Sequence, residues 1–270
     1  MYSQAQPLAF HRVSYIVAGR RLSESYKTVS NFFNLVNEIE VNNKTARPLN
    51  RIIDLWNGHI PRGRVADNTR TVFFDLKNFL SEKELGEFII SDYLKARSKY
   101  YRKFTLNSQE DQLDYLHSVV EQEGLLFCFG NGYSESQVDF FKQDAKVSFL
   151  MACLLEISDD DQEINNITPN SDLRRYGLSG ITFNQFQKHP GAFREYLERF
   201  AGEIFNYQQI AKSFSKNLPA KYRLSKKLEY SSYNNILKKV TTNPEWIFYN
   251  NADNLGSYRI KNSLARRIYA

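Results

Sequence analysis

Five residues near the end of the chain, Tyr258, Arg259, Asn262, Arg266 and Tyr269, have side chains that could grip an anionic polymer. Arginine pairs in bidentate fashion with phosphate or guanine, asparagine pairs with adenine, and tyrosine stacks or reaches a phosphate oxygen. At the helical 100° per residue they fall within roughly 100° of arc, opposite a stripe of Ile260, Leu264 and Ile268 fit to pack on preceding helices. Lys226, Lys227, Lys238 and Lys239 would add attraction for phosphate regardless of sequence.

The charge distribution points the same way. Residues 212–270 hold twelve Lys or Arg against three Asp or Glu, a balance of +9 in a chain of net charge +6, so residues 1–211 carry −3. Such asymmetry between segments is the footprint of a nucleic-acid contact. A membrane surface would be the other anionic partner. It is not expected, because the apolar stripe of the terminal helix is narrow and has a core role.

Other constellations fall short of an enzyme. Asp144 and Lys146 have the Asp-x-Lys form of a metal-dependent nuclease, in which carboxylates hold the cation and lysine polarises water, but no upstream acid stands at a suitable distance. The acidic run Asp159, Asp160, Asp161 and Glu163 lacks the glycine and closing glutamate of a calcium loop. His11, His59, His117 and His189 are isolated from one another and from Cys128 and Cys153, so no zinc spacing exists. Gly130-Asn131-Gly132 lacks the trailing Lys and Ser or Thr of a phosphate loop, and no Gly-x-Ser-x-Gly elbow occurs. No cofactor and no metal is expected. The two cysteines sit in apolar runs, which fits free thiols in a reducing, cytoplasmic compartment, and no signal peptide or membrane span is read.

Several elements must position these groups. A short strand is expected over FHRVSYIVAG, then a helix through Tyr26, Val29, Phe33 and Val36, and a short one over PLNRIIDLWNG with Pro48 in its first turn and Gly58 as its stop. Arg62, Arg64 and Arg70 follow in a loop. Ser81 with Glu84 reads as a capping box ahead of Leu85, Ile89, Tyr93 and Ala96. Ser108 caps a second helix that buries Leu113, Leu116 and Val120 and stops at Gly124. LLFCFGNGY reads as a buried strand and residues 137–157 as a helix, with a strand as the alternative for KVSFLMACLL. Phe193, Leu197, Phe200, Ile204, Tyr207, Ala211 and Phe214, spaced alternately by four and three, make the seam of a long helix that packs within a bundle or against a second copy.

Two segments resemble known ones. The terminal pattern, a glycine turn followed by SYRIKNSLARRI, resembles the turn and recognition helix of helix-turn-helix proteins, which implies insertion of the last helix in the major groove. DQLDYLHSVVEQEGLLFCF, residues 111–129, is similar to a helix-stop-strand segment of phage tail-hub and secretion-spike proteins. The expected architecture is mainly α with a few short strands: a helical N-terminal domain over residues 1–157, a linker over 158–180 and a basic helical C-terminal domain over 181–270 with a helix-turn-helix-like end. The expected function is non-enzymatic binding of nucleic acid, duplex DNA in particular. The alternatives are a structural subunit of a multiprotein assembly, joined to a protein partner or a second copy through the helix of Phe193–Phe214, and a metal-dependent nuclease.

Overall fold

The computed structural model describes residues 24–42, 46–59, 68–100, 106–155 and 169–249. These residues are helical throughout, joined by turns and short coil, with no strand among them. The expected strand over FHRVSYIVAG, Arg62, Arg64, the acidic run at 159–163 and the helix-turn-helix-like end lie outside the described residues.

Helices α1 (Glu24–Asn42), α2 (Arg47–Trp56), α3 (Thr69–Glu82) and α4 (Phe88–Lys99) enclose a first core. In α1 the stripe Tyr26, Val29, Phe33 and Val36 is buried, as its spacing requires. Pro48 opens α2 and Gly58 follows it at φ 81°, a conformation that costs glycine no side-chain clash.

The predicted capping box at Ser81 is not formed. Helix α3 runs through Ser81 to Glu82 and closes with Glu84 at φ 54°, where Leu85 N donates to Leu80 O at 2.8 Å. The left-handed C-terminal turn has prevailed over the local capping pattern. Ile89, Tyr93 and Ala96 are nonetheless buried on α4.

Next comes one nearly continuous rod: α5 (Gln109–Tyr115), a π-helical turn (Leu116–Val120) and α6 (Glu121–Gly130). Ser108 does cap it, accepting from Asp111 N at 3.2 Å while the Asp111 carboxylate accepts from Ser108 N at 3.2 Å. Two expectations fail here. LLFCFG is helix, not strand, and Gly124 does not end it. The run is apolar on every side because the rod is wedged between two cores: Val119, Leu126, Phe127 and Phe129 belong to the first, and Leu116, Val120 and Cys128 to the second. Leu113, expected inside, is 44% exposed.

Gly124 serves close approach instead. A Cβ placed there would lie 2.5 Å from Phe141 O of α7 (Glu135–Leu155), so the absent side chain is what lets α6 and α7 pack backbone to backbone. Helix α7 carries the second core onward to α8 (Asn170–Arg175), α9 (Phe183–Lys188), α10 (Pro190–Phe214), α11 (Ala220–Thr242) and the short α12 (Trp246–Tyr249). The seam of α10 is consumed inside the chain: Phe193, Leu197, Phe200, Ile204 and Ala211 are buried, and α10 lies along α7 and α11. Of the seam residues Phe214 is exposed, so the stripe is not a free surface for a second copy.

Candidate functional site

Where α7 packs on α6 and reaches α11, charged side chains interrupt the apolar interior. Glu121 and Glu123 of α6 are two residues apart, as are Asp144 and Lys146 of α7. Two residues on a helix are separated by about 200°, so each pair sends its members to opposite sides. This geometry also removes the nuclease arrangement. Asp144 and Lys146 stand on a helix, not a strand, and each is paired with a different partner.

Asp144 is fully buried and faces α11. Its Oδ2 lies 2.6 Å from Lys226 Nζ, and its Oδ1 accepts from the Tyr230 hydroxyl at 2.8 Å. Lys226 also meets Glu229 Oε2 at 2.9 Å, and the Tyr233 hydroxyl donates to Glu229 Oε1 at 2.7 Å. Burial pushes the Asp144 carboxyl pKa up, and the Lys226 ammonium opposes that rise. Burial disfavours the Lys226 charge, but the two carboxylates overcome it and hold the lysine protonated well above its ordinary range.

A second cluster lies on the other side of α6. Arg97 of α4 forks onto Glu40 of α1, with Nε 2.9 Å from Oε1 and Nη2 on Oε2, and Nη2 also donates to Asn37 Oδ1 at 3.2 Å. Arg97 Nη1 is 3.7 Å from Glu123 Oε1, which accepts from the Tyr93 hydroxyl at 3.0 Å. Burial among packed helices raises the Glu123 carboxyl pKa, with Arg97 and the Tyr93 hydroxyl pulling it back. Burial likewise pushes the Tyr93 phenol well up.

The third cluster opens outward. Lys146 Nζ meets Glu121, lies 5.0 Å from the centre of the Tyr207 ring, and shares Glu121 with the exposed His117, whose Nδ1 is 2.8 Å from Oε1. It adjoins the π-helical turn, an irregularity common where a helix is adapted to function. Among the described residues no three or more His, Cys, Asp or Glu side chains gather so as to hold a metal ion.

Each of the first two clusters sets two carboxylates against one cation within walls of Phe and Tyr rings. Such an interior favours a positive charge over a negative one, through the carboxylates and the faces of the rings. A shallow cleft of about 370 Å³ beside Trp56 and Phe88 offers less, because its Lys77 is paired with Glu87 at 2.8 Å and lies over the Trp56 ring.

The residues expected to bind nucleic acid do not form one surface. Lys226 is buried in the Asp144 cluster, whereas Lys227, Lys238 and Lys239 are exposed on α11. Tyr258, Arg259, Asn262, Arg266 and Tyr269 lie outside the described residues. Sequence reading gave no site role to Glu40, Arg97, Glu121, Glu123 or Glu229. Their one local signal was charge at positions whose helical neighbours are apolar.

Comparison with protein families matches residues 35–266 to the squalene/phytoene synthase family. No match is found among curated proteins. The family match runs through the basic C-terminal segment and overturns the nucleic-acid-binding reading, along with its assembly and nuclease alternatives. It also corrects the expectation of a non-enzymatic protein, because members of this family are enzymes acting on isoprenoid diphosphates.

Proposed function

Because the chain belongs to the squalene/phytoene synthase family, we propose that it is an enzyme of isoprenoid synthesis whose substrate is a prenyl diphosphate. The match over residues 35–266 carries this reading. Prenyl diphosphates react by releasing diphosphate, which leaves an allylic cation on the hydrocarbon. The task of the protein is then to keep water from that cation and to stabilise its charge.

The interior supports the assignment. Glu123 with Glu40, and Asp144 with Glu229, place carboxylates in excess of Arg97 and Lys226, and Tyr93, Tyr222 and Tyr230 present rings beside them. In this proposal Glu123 and the Tyr93 hydroxyl it accepts from face the developing cation, while Arg97 positions both Glu123 and Glu40. The Asp144 cluster fixes α11 against α7.

Calorimetric titration of the purified full-length chain with a prenyl diphosphate analogue that cannot ionise tests the substrate class separately from turnover. Saturable binding that requires both the prenyl chain and the diphosphate is expected. Equal heat from inorganic diphosphate alone, or none from any prenyl length, contradicts the proposal.

A further inference from the structure

Helix α11 has an outer face that the interior does not explain. At 100° per residue, Leu224 and Leu228 lie within about 120° of arc with Lys221, Lys227, Lys238 and Lys239. All six are exposed, the leucines by 48% and 46%. Between them along the same arc stand Ser231 and Asn235, exposed and uncharged. The one carboxylate of the helix, Glu229, points the other way and is buried with Lys226.

We propose that this face of α11 docks the protein on an anionic membrane surface. The chemistry is that of an interfacial helix. Two leucines enter the boundary between headgroups and acyl chains, Lys221 and Lys227 beside them reach to lipid phosphates or carboxylates while their methylene stems cover the apolar margin, and Lys238 and Lys239 extend the basic face about 15 Å farther along the helix. Charge complementarity selects an anionic surface. The two leucines standing on the same face as the lysines select lipid over a nucleic-acid backbone, which offers phosphate but little for leucine to enter. No helix among the described residues is long and apolar enough to cross a membrane. The expectation of no membrane contact rested on the narrow stripe of the terminal segment, a different surface. The docking inference is independent of the enzymatic reading, since it concerns binding alone.

The test is co-sedimentation of the full-length protein with vesicles of phosphatidylcholine, with and without about one third phosphatidylserine. Binding to the anionic vesicles and release by high salt are expected. Leu224→Ser with Leu228→Ser should weaken vesicle binding about tenfold and leave any duplex-DNA binding unchanged. Conversion of the four lysines to glutamine should weaken vesicle binding about a hundredfold or more. These residues are exposed, so circular dichroism and the thermal midpoint should match the parent chain. Unchanged vesicle binding by both variants, equal binding to neutral vesicles, or loss of DNA binding in step with vesicle binding in the leucine variant overturns the proposal. So does sole capture by an acidic polypeptide such as polyglutamate.

Discussion

Lys226 Nζ lies 2.6 Å from Asp144 Oδ2 and 2.9 Å from Glu229 Oε2, so one buried ammonium is shared by carboxylates from two helices. Removal of the lysine strands both acids, whereas removal of Asp144 leaves a balanced Lys226–Glu229 pair. Lys226→Met should therefore cost about 3–5 kcal/mol of stability and Asp144→Asn about 1–2 kcal/mol, as read by denaturant unfolding. The double variant should be more stable than Lys226→Met alone. Equal losses from the two single variants would contradict the shared-cation arrangement.

Alkaline pH should unfold the protein early. Burial raises the phenol pKa of Tyr93, Tyr222 and Tyr230 above the ordinary 10.0, and the Asp144 and Glu229 carboxylates raise that of Lys226 above 10.5 against the opposing effect of burial. For each group the folded state keeps its proton after the unfolded chain has released it. Their contribution is thus fully present below about pH 10 and is lost as pH rises toward the folded-state values. Urea midpoints measured across this range should be level near neutrality and fall steeply above about pH 10. A level profile to pH 11 or so would show that these groups are not desolvated.

Gly124→Ala should be among the most damaging single-methyl changes in the chain. The new Cβ meets the backbone carbonyl of Phe141 at 2.5 Å, which no side-chain rotation can relieve, so α6 and α7 must separate. A loss of about 2–3 kcal/mol in thermal or chemical unfolding is expected. Gly191→Ala, in the first turn of α10 with open space at its Cβ position, serves as the control and should lose less than about 0.5 kcal/mol.

Much of the helical frame is legible in the sequence. The stripe Tyr26, Val29, Phe33 and Val36, the cap at Ser108 and the seam from Phe193 to Ala211 each follow from spacing that one amphipathic face must show. Helix α6 is not legible, because a helix buried on both sides has no periodicity to distinguish it from a strand. The glycine that looks like its stop is a packing device seen in three dimensions alone. The charged clusters were hidden for a related reason: Glu40, Arg97 and Glu123 come from three helices far apart in sequence, and Lys226 resembles its exposed neighbour Lys227 until α11 is rotated onto α7. The +9 balance of the last segment was a true signal of basic charge, but net charge names a class of partners and not a reaction.

The central claim is that the chain releases diphosphate from a prenyl diphosphate, and one assay reads that release together with the hydrocarbon it leaves. The purified chain is incubated, with and without magnesium, with the labelled prenyl diphosphates that have half the carbon of squalene and of phytoene, and inorganic diphosphate and solvent-extracted hydrocarbon are counted together. Both products are predicted to rise in proportion to enzyme, and Glu123→Gln to lower turnover by about a hundredfold or more while the fold persists. Folded wild-type protein that releases no diphosphate from either substrate would contradict the account.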